Sequence, residues 1–241
     1  MAQRLVPLMT AMVDRSEARH EAIERMQRWD FLMGLDKSEP LLFTAWLRQF
    51  SRSILFGRFG NAVSDYWDLR PQVIEAVLTQ RPEWCGDPNR PGEESCGSRL
   101  AETLDLVLSD LRRGYGPDMK KWQWGRAHVA VFANQVFSRI PVLRDWLKVS
   151  IPTPGAYDTL NRGPSTIRDD ASPFEQHFGA GLRMITDLAA PGDAEMIITP
   201  GQSGNPLSAH YADLLRRWRD FDWLLPGSST AVSTLVLAPA K

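Results

Sequence analysis

Through the first 113 residues the apolar positions recur with the 3.6-residue period of an α-helix. Leu5, Leu8, Met9 and Met12 stand at i, i+3, i+4 and i+7, which predicts a helix over residues 1–12. From Ser16 to Trp29, Ala22, Ile23, Met26 and Trp29 share one face while Glu17, Arg19, Glu21, Glu24 and Arg25 fill the rest, as in an amphipathic helix. Ser38-Glu39-Pro40 gives a start signal for the next helix, in which Phe43, Trp46, Leu47, Phe50 and Ile54 repeat in register. A short helix is expected from Pro71 to Thr79. Another is expected from Ser98 to Arg113, with Leu100, Leu104, Val107, Leu108 and Leu111 inward and Gly114 as its stop.

Past Gly116-Pro117 the period shortens. Val129, Val131 and Ala133 alternate within 127–133, and short apolar runs follow at Ser165-Thr166-Ile167-Arg168, Glu195-Met196-Ile197-Ile198-Thr199 and Ser233 to Leu237. These read as strands between Pro and Gly turns. Residues 140–151 suit either a helix or a loop. A late helix is expected from Ser208, as N-cap, to Phe221, with Tyr211, Leu214, Leu215 and Trp218 facing the core. Helices first and strands after, with no repeat or long linker, predict an α+β fold: a helical arm at 1–113, then a strand-rich part with a late helix at 114–241.

Composition narrows the partners. Lys plus Arg number 28 against 29 for Asp plus Glu, so the net charge of -1 gives no electrostatic reason for a nucleic-acid or acidic-lipid partner. Nine Trp residues suit a thick, multilayer body whose indole N–H groups find partners; a sugar or peptide platform is the sharper alternative. No apolar run reaches the length of a membrane span. Met1 to Met12 lacks the apolar core and cleavage site of a signal peptide, and a chain opening inside an uncapped amphipathic helix reads as cut rather than begun. Cys85 and Cys96 lie in a loop rich in Pro, Gly and charged residues, at a spacing that excludes a CxxC redox or zinc site. They are either two free thiols or, as preferred here, a disulfide closing a poorly structured loop, which implies an oxidising compartment.

Several segments invite a chemical reading. Gly201-Gln202-Ser203-Gly204-Asn205 approaches the G-x-S-x-G nucleophile elbow, but Asn205-Pro206 replaces the small closing residue and the His210 and Asp213 partners come in the wrong order. A tight loop, followed by a His–Asp pair at i, i+3 on one helix face, accounts for the same residues without catalysis. A phosphate cradle there lacks a Lys or Arg. Phe178-Gly179-Ala180-Gly181 continues into Met184 where a dinucleotide loop needs a third Gly. His20, His128, His177 and His210 have none of the pairings that metals favour, and His128, beside Trp122 and Trp124, reads as a hydrogen-bonded residue of a packed corner. Arg168, Asp169 and Asp170 read as a solvated or ion-paired turn, with an Arg able to hold a substrate carboxylate as the alternative.

Two segments go further together. Trp122-Gln123-Trp124-Gly125-Arg126-Ala127-His128 and Pro200-Gly201-Gln202-Ser203-Gly204-Asn205-Pro206-Leu207-Ser208-Ala209-His210-Tyr211 resemble the closing third of a penicillin acylase family protein. Arg28-Trp29-Asp30, Trp84-Cys85, Ser95-Cys96, Tyr115-Gly116, Asn161-Arg162-Gly163, Phe174, Arg183 and Asp187 fall into the same order, so the resemblance runs over most of the chain. It implies part of a four-layer αββα sandwich of the N-terminal-nucleophile type, with Trp124, Gly125, His128, Gly201, Gln202, Ser203, Gly204, His210 and Tyr211 as structural motif residues. It implies hydrolysis of acyl amides such as β-lactam side chains, acyl-homoserine lactones or lipopeptides, in a periplasmic or extracellular protein. In such enzymes the first residue of a processed chain attacks and its own α-amino group is the base. Here Met1-Ala2 stands first, the oxyanion Asn, its accompanying Arg and any calcium site belong upstream of the match, and neither Gly97-Ser98 nor Gly227-Ser228 fits a processing junction. No catalytic residue, cofactor or metal ligand is therefore carried over, and the expected partner is a missing acylase segment bearing the nucleophile. The alternatives are a non-catalytic scaffold or binding protein, and a serine hydrolase acting through Ser203.

Overall fold

The helical period of the first half produces α1 (Ala2–Ala11), α2 (Glu17–Arg28), α3 (Glu39–Phe59), α4 (Pro71–Thr79) and α5 (Cys96–Tyr115). The structure, a computed structural model, describes residues 1–63, 71–86, 95–165, 171–176, 178–226 and 236. The expected strands at 165–168 and 233–237 and the Arg168–Asp170 turn fall largely outside these residues. His177, Gly227-Ser228 and the middle of the Cys85–Cys96 loop lie wholly outside them.

In α1 the buried face is Leu5, Val6 and Met9, while Met12 is partly exposed, so the helix is rotated slightly from the expected stripe. Helix α3 buries Leu41, Leu42, Phe43, Trp46, Leu47, Phe50 and Ile54 and packs chiefly on α5, whose expected Leu100, Leu104, Val107, Leu108 and Leu111 face is buried. The Trp46 indole donates to the Leu100 carbonyl across this contact at 3.0 Å. Burying such rings supplies the apolar stabilisation, and the N–H bond removes the cost of an unpaired donor. Helix α5 starts earlier than expected. Ser95 and Ser98 cap each other's backbone N–H groups at 3.1 and 3.0 Å, which sets the first turn at Cys96. It also ends later: Gly114 stays helical and the chain turns out at Gly116, whose φ of 92° lies in the left-handed region.

Cys85 ends a 3₁₀ turn (Pro82–Cys85) and is disulfide-bonded to Cys96, the first residue of α5. Of the two readings of these cysteines, the bridge holds.

The second half departs from expectation. Short α6 (Trp124–Ala127) leads into β1 (Val129–Phe132), then α7 (Pro141–Leu147) and β2 (Val149–Pro152), so residues 140–151 are helix followed by strand. Next come β3 (Leu182–Ile185), β4 (Glu195–Ile198) and α8 (Leu215–Asp220). Strands β1 and β2 form one two-stranded sheet and β3 and β4 a second, antiparallel one, with Leu182 opposite Ile198 and Ile185 opposite Glu195. Among the described residues the half is thus mixed and loop-rich rather than strand-rich, because its apolar runs are only three or four residues long between Pro and Gly.

The chain divides into two compact units. The first comprises residues 1–131 and 150–179 and holds the large helical core. The second comprises residues 132–149 and 180–241; in it Trp218 is buried, its indole donates to the Ala180 carbonyl at 2.8 Å, and the Arg183 guanidinium lies over its ring at 4.4 Å. Burial pulls the Arg183 pKa down to about 10, which leaves it charged at neutral pH.

Candidate functional site

The most organised polar region of the first unit surrounds Trp124 and His128. Trp124 is buried and its indole donates to the Gly155 carbonyl at 2.9 Å. One helical turn on, the His128 ring stacks on it, with centroids 4.5 Å apart and planes 11° from parallel. His128 is fully buried, with Nδ1 2.8 Å from the Thr153 carbonyl and Nε2 2.9 Å from the Gly163 carbonyl. A neutral imidazole has one N–H, so it donates to one carbonyl and turns a bare nitrogen to the other; only the imidazolium serves both. Burial nevertheless dominates and holds the His128 pKa below its ordinary value, with the two carbonyls pulling the other way. Thr153 continues the network by donating to the Gln176 side-chain oxygen at 2.6 Å. The packed-corner reading of His128 describes this geometry.

Two loops hang from these residues. Residues 30–37 turn at Phe31, a non-glycine residue at φ 62°, and fold around Asp30, which accepts from the Leu32 N–H at 3.0 Å and pairs with Lys37. The Trp124 N–H donates to Lys37 O and the Gly125 N–H to Leu35 O, each at 2.8 Å. A side chain at Gly125 would crowd that approach, since a Cβ there would lie 3.0 Å from a Leu35 methyl and 3.2 Å from its carbonyl oxygen. On the other side, residues 153–165 are held by Trp124 and His128 and by Asn161, whose amide donates to Pro154 O at 2.6 Å. Gly155 N–H donates to Met33 O at 3.0 Å and ties the two loops together.

Between them lies a cavity of about 210 Å³. Phe31 and Met33 come from the first loop, Phe43, Thr44 and Leu47 from α3, and Ala156, Tyr157 and Asp158 from the second.

The other motif lies in the second unit. Gly201 faces residues 210–213 so closely that a Cβ would sit 2.3 Å from the His210 carbonyl oxygen and 2.8 Å from an Asp213 carboxylate oxygen. The loop is stitched by Ser203 N–H to His210 O at 3.0 Å and Leu214 N–H to Pro200 O at 3.1 Å. These bonds divert backbone groups that a helix would pair internally, so the expected helix from Ser208 is replaced by turns and begins only at Leu215. Ser203 Oγ accepts from Asn205 N–H at 3.1 Å, a local turn. His210 and Asp213 are bonded to each other at 2.8 Å on the surface, as the pair reading has it, though not on a helix. Tyr211 OH accepts from Asn134 at 3.4 Å. Gln202 and Gly204 are exposed, and Gly204 faces open space.

Both motifs fit one known pattern, and residues 1–231 match the penicillin amidase family. The chain belongs to the penicillin amidase family. Among relatives within it, an acyl-homoserine lactone acylase QuiP of Pseudomonas syringae pv. syringae (strain B728a) is 26% identical over 220 residues, covering 86% of this chain and 26% of that protein. Penicillin acylase 2 proenzyme of Pseudomonas sp. (strain SE83) is 25% identical over 195 residues, covering 80% of this chain and 24% of that protein. The thermostable penicillin G acylase of Alcaligenes faecalis shares the fold, with a TM-score of 0.53 at 16% identity over 98% of this chain and 46% of that one. This penicillin amidase family chain therefore spans about a quarter of the length of the curated relatives it matches.

Trp124, Gly125 and His128 organise the first unit, and Gly201, Ser203, His210 and Tyr211 a loop of the second. Sequence reading missed the Thr153, Gly155 and Gly163 carbonyls as partners of Trp124 and His128, and Gln176 as the acceptor for Thr153. Asn161-Arg162-Gly163 carried a motif signal, but a backbone carbonyl accepting from an indole or imidazole leaves no mark in the sequence.

Proposed function

We propose that this chain is the carboxy-terminal portion of a penicillin amidase family acyl-amide hydrolase, and that it supplies scaffold rather than the attacking group. The observation carrying this is that its motif side chains are engaged in holding backbone: Trp124 and His128 on remote carbonyls, Ser203 in its own turn, and both cysteines in the disulfide. The partner is the segment of the acylase that bears the nucleophile, and the reaction of the assembled protein is acyl transfer to water through a covalent acyl-enzyme. Its substrates are linear acyl amides, a class supported by relatives described as acyl-homoserine lactone and penicillin acylases. The Cys85–Cys96 bond supports an oxidising compartment, periplasmic or extracellular. Among the described residues no helix is long and apolar enough to cross a membrane.

The test is release of free amine from an acyl-homoserine lactone and from a β-lactam, with the purified chain alone and with the nucleophile-bearing segment supplied in trans. Turnover is expected only in the second case. Turnover by the chain alone that disappears in Ser203→Ala would overturn the reading in favour of a serine hydrolase.

A further inference from the structure

Strands β3 and β4 leave one edge of their sheet open, and the hydrogen bonding identifies the residues that line it. On the far side of β4 the Met196 N–H and C=O pair with those of Leu224, each at 2.8 Å. Backbone direction alternates along an antiparallel strand, so Glu195 and Ile197 turn their groups to β3, where Ile185 and Arg183 stand opposite. The Thr199 N–H donates to Gly181 O at 3.2 Å in the same register. Leu182 and Met184 therefore point their N–H and C=O groups outward, and among the described residues these groups accept and donate no hydrogen bond.

The two faces of the sheet differ. Arg183 and Ile197 share one and are buried, with the Trp218 ring of α8 against the Arg183 guanidinium. Leu182, Met184, Met196 and Ile198 share the other; all four are apolar, and Leu182 and Met184 are 56% and 62% exposed. A strand that is apolar on both faces is built for burial on both. Edge strands that end a sheet in water are protected by Lys, Pro or a bulge. Strand β3 has none of these, and its one charge lies on Trp218 rather than at the edge.

Charge and length select the occupant. If a second copy of this chain used both outward residues in a two-fold antiparallel pairing, Leu182 would meet Met184 and Arg183 would stand directly opposite Arg183, and like charges so placed repel. A different polypeptide has no such conflict, and the curated relatives carry most of their length outside the part matched here. We propose that the outer edge of β3 receives a strand of the nucleophile-bearing segment, paired through the backbone of Leu182 and Met184, with alternate apolar side chains extending the Leu182–Met184 face. This rests on the scaffold function proposed above and assigns where the partner docks.

The chain is studied alone and coexpressed with the nucleophile-bearing segment, by hydrogen exchange at single-residue resolution and by affinity measurement. The Leu182 and Met184 amides should exchange freely in the chain alone and at least about tenfold more slowly in the complex. Met184→Pro removes an outward N–H that no bond within the sheet uses, and should weaken the complex at least about tenfold, whereas Met184→Val should not. If Met184→Pro lowers the unfolding midpoint of the chain alone, Leu182→Pro serves the same purpose. A complex that hydrolyses acyl amides while both amides still exchange freely, or that tolerates the folded Pro variant, would overturn this docking site and leave the scaffold function standing. Protection of the two amides in the chain alone, rising with its concentration, would assign the edge to a second copy and overturn the proposal. Absence of both complex and turnover would overturn the scaffold function itself, and the docking site with it.

Discussion

His128 joins three stretches of backbone through one side chain, and its position has a consequence for pH. Because its pKa is lowered in the folded protein, the unfolded chain takes up the proton first as pH falls. Stability should be unaffected by this group above its unfolded value of about 6.5 and decline as pH drops from there toward the folded value. Asp30, Asp105, Asp220 and Asp222, whose pKa values are held below 3.8 chiefly by hydrogen bonds from Lys37, Arg19, Arg219 and Arg217, act in a separate, more acidic window. Urea unfolding between pH 7 and pH 5 should therefore show a falling midpoint in the native chain and a flatter profile in His128→Gln. At Gly201 the expectation is steric: Gly201→Ala forces residues 200–204 away from 210–214 and should cost about 2 kcal/mol or more, read as a lower unfolding midpoint. That His128 belongs to a packed corner was legible beside two Trp residues. Its acceptors, the Thr153 and Gly163 carbonyls, were not, since any residue type offers a carbonyl.

Elements differed in how openly the sequence declared them. Helices α2, α3 and α5 carry their apolar stripes over three turns or more, enough for the period to separate them from strand or loop. Residues 208–221 carried the same stripe, yet only Leu215–Asp220 is helical, because residues 200–204 compete for the backbone of the first turns. No local pattern reveals a competitor of that kind. The Cys85–Cys96 bond was legible as one of two alternatives, from a loop too poor in apolar residues to hold itself together. Closing a segment with a sequence separation of 11 is worth about 2–3 kcal/mol by restricting the unfolded chain. Reduction, or the double substitution of Cys85 and Cys96 by Ser, should lower the unfolding free energy by that amount, measurable by denaturant titration with and without reductant.

At the scale of the whole molecule the two units are built unequally. The first has an extensive buried core, whereas the second shows Val142, Trp146, Leu182, Met184, Ile185, Leu188 and Leu207 to solvent on or beside short elements. A two-stranded sheet with such a surface is marginal in water, and exposed apolar area on this scale marks an interaction surface. The chain alone should therefore bind a hydrophobic dye and self-associate at high concentration, and both should fall when the nucleophile-bearing segment is present. A dye-silent monomer would count against the scaffold reading. The helical arm was legible because its long helices repeat the 3.6-residue apolar period over several turns, wherever along the chain their packing partners lie. The second unit was not, because its short apolar runs are compatible with strand and turn alike.

The buried indoles of Trp29, Trp46, Trp122, Trp124 and Trp218 each donate to a carbonyl, those of Leu32, Leu100, Gly116, Gly155 and Ala180. Each ring is thus a built-in optical gauge of a different joint. Loosening any one of them admits water to a single fluorophore, so a set of Trp→Phe variants would resolve, from red shifts in emission during denaturation, the order in which the joints come apart.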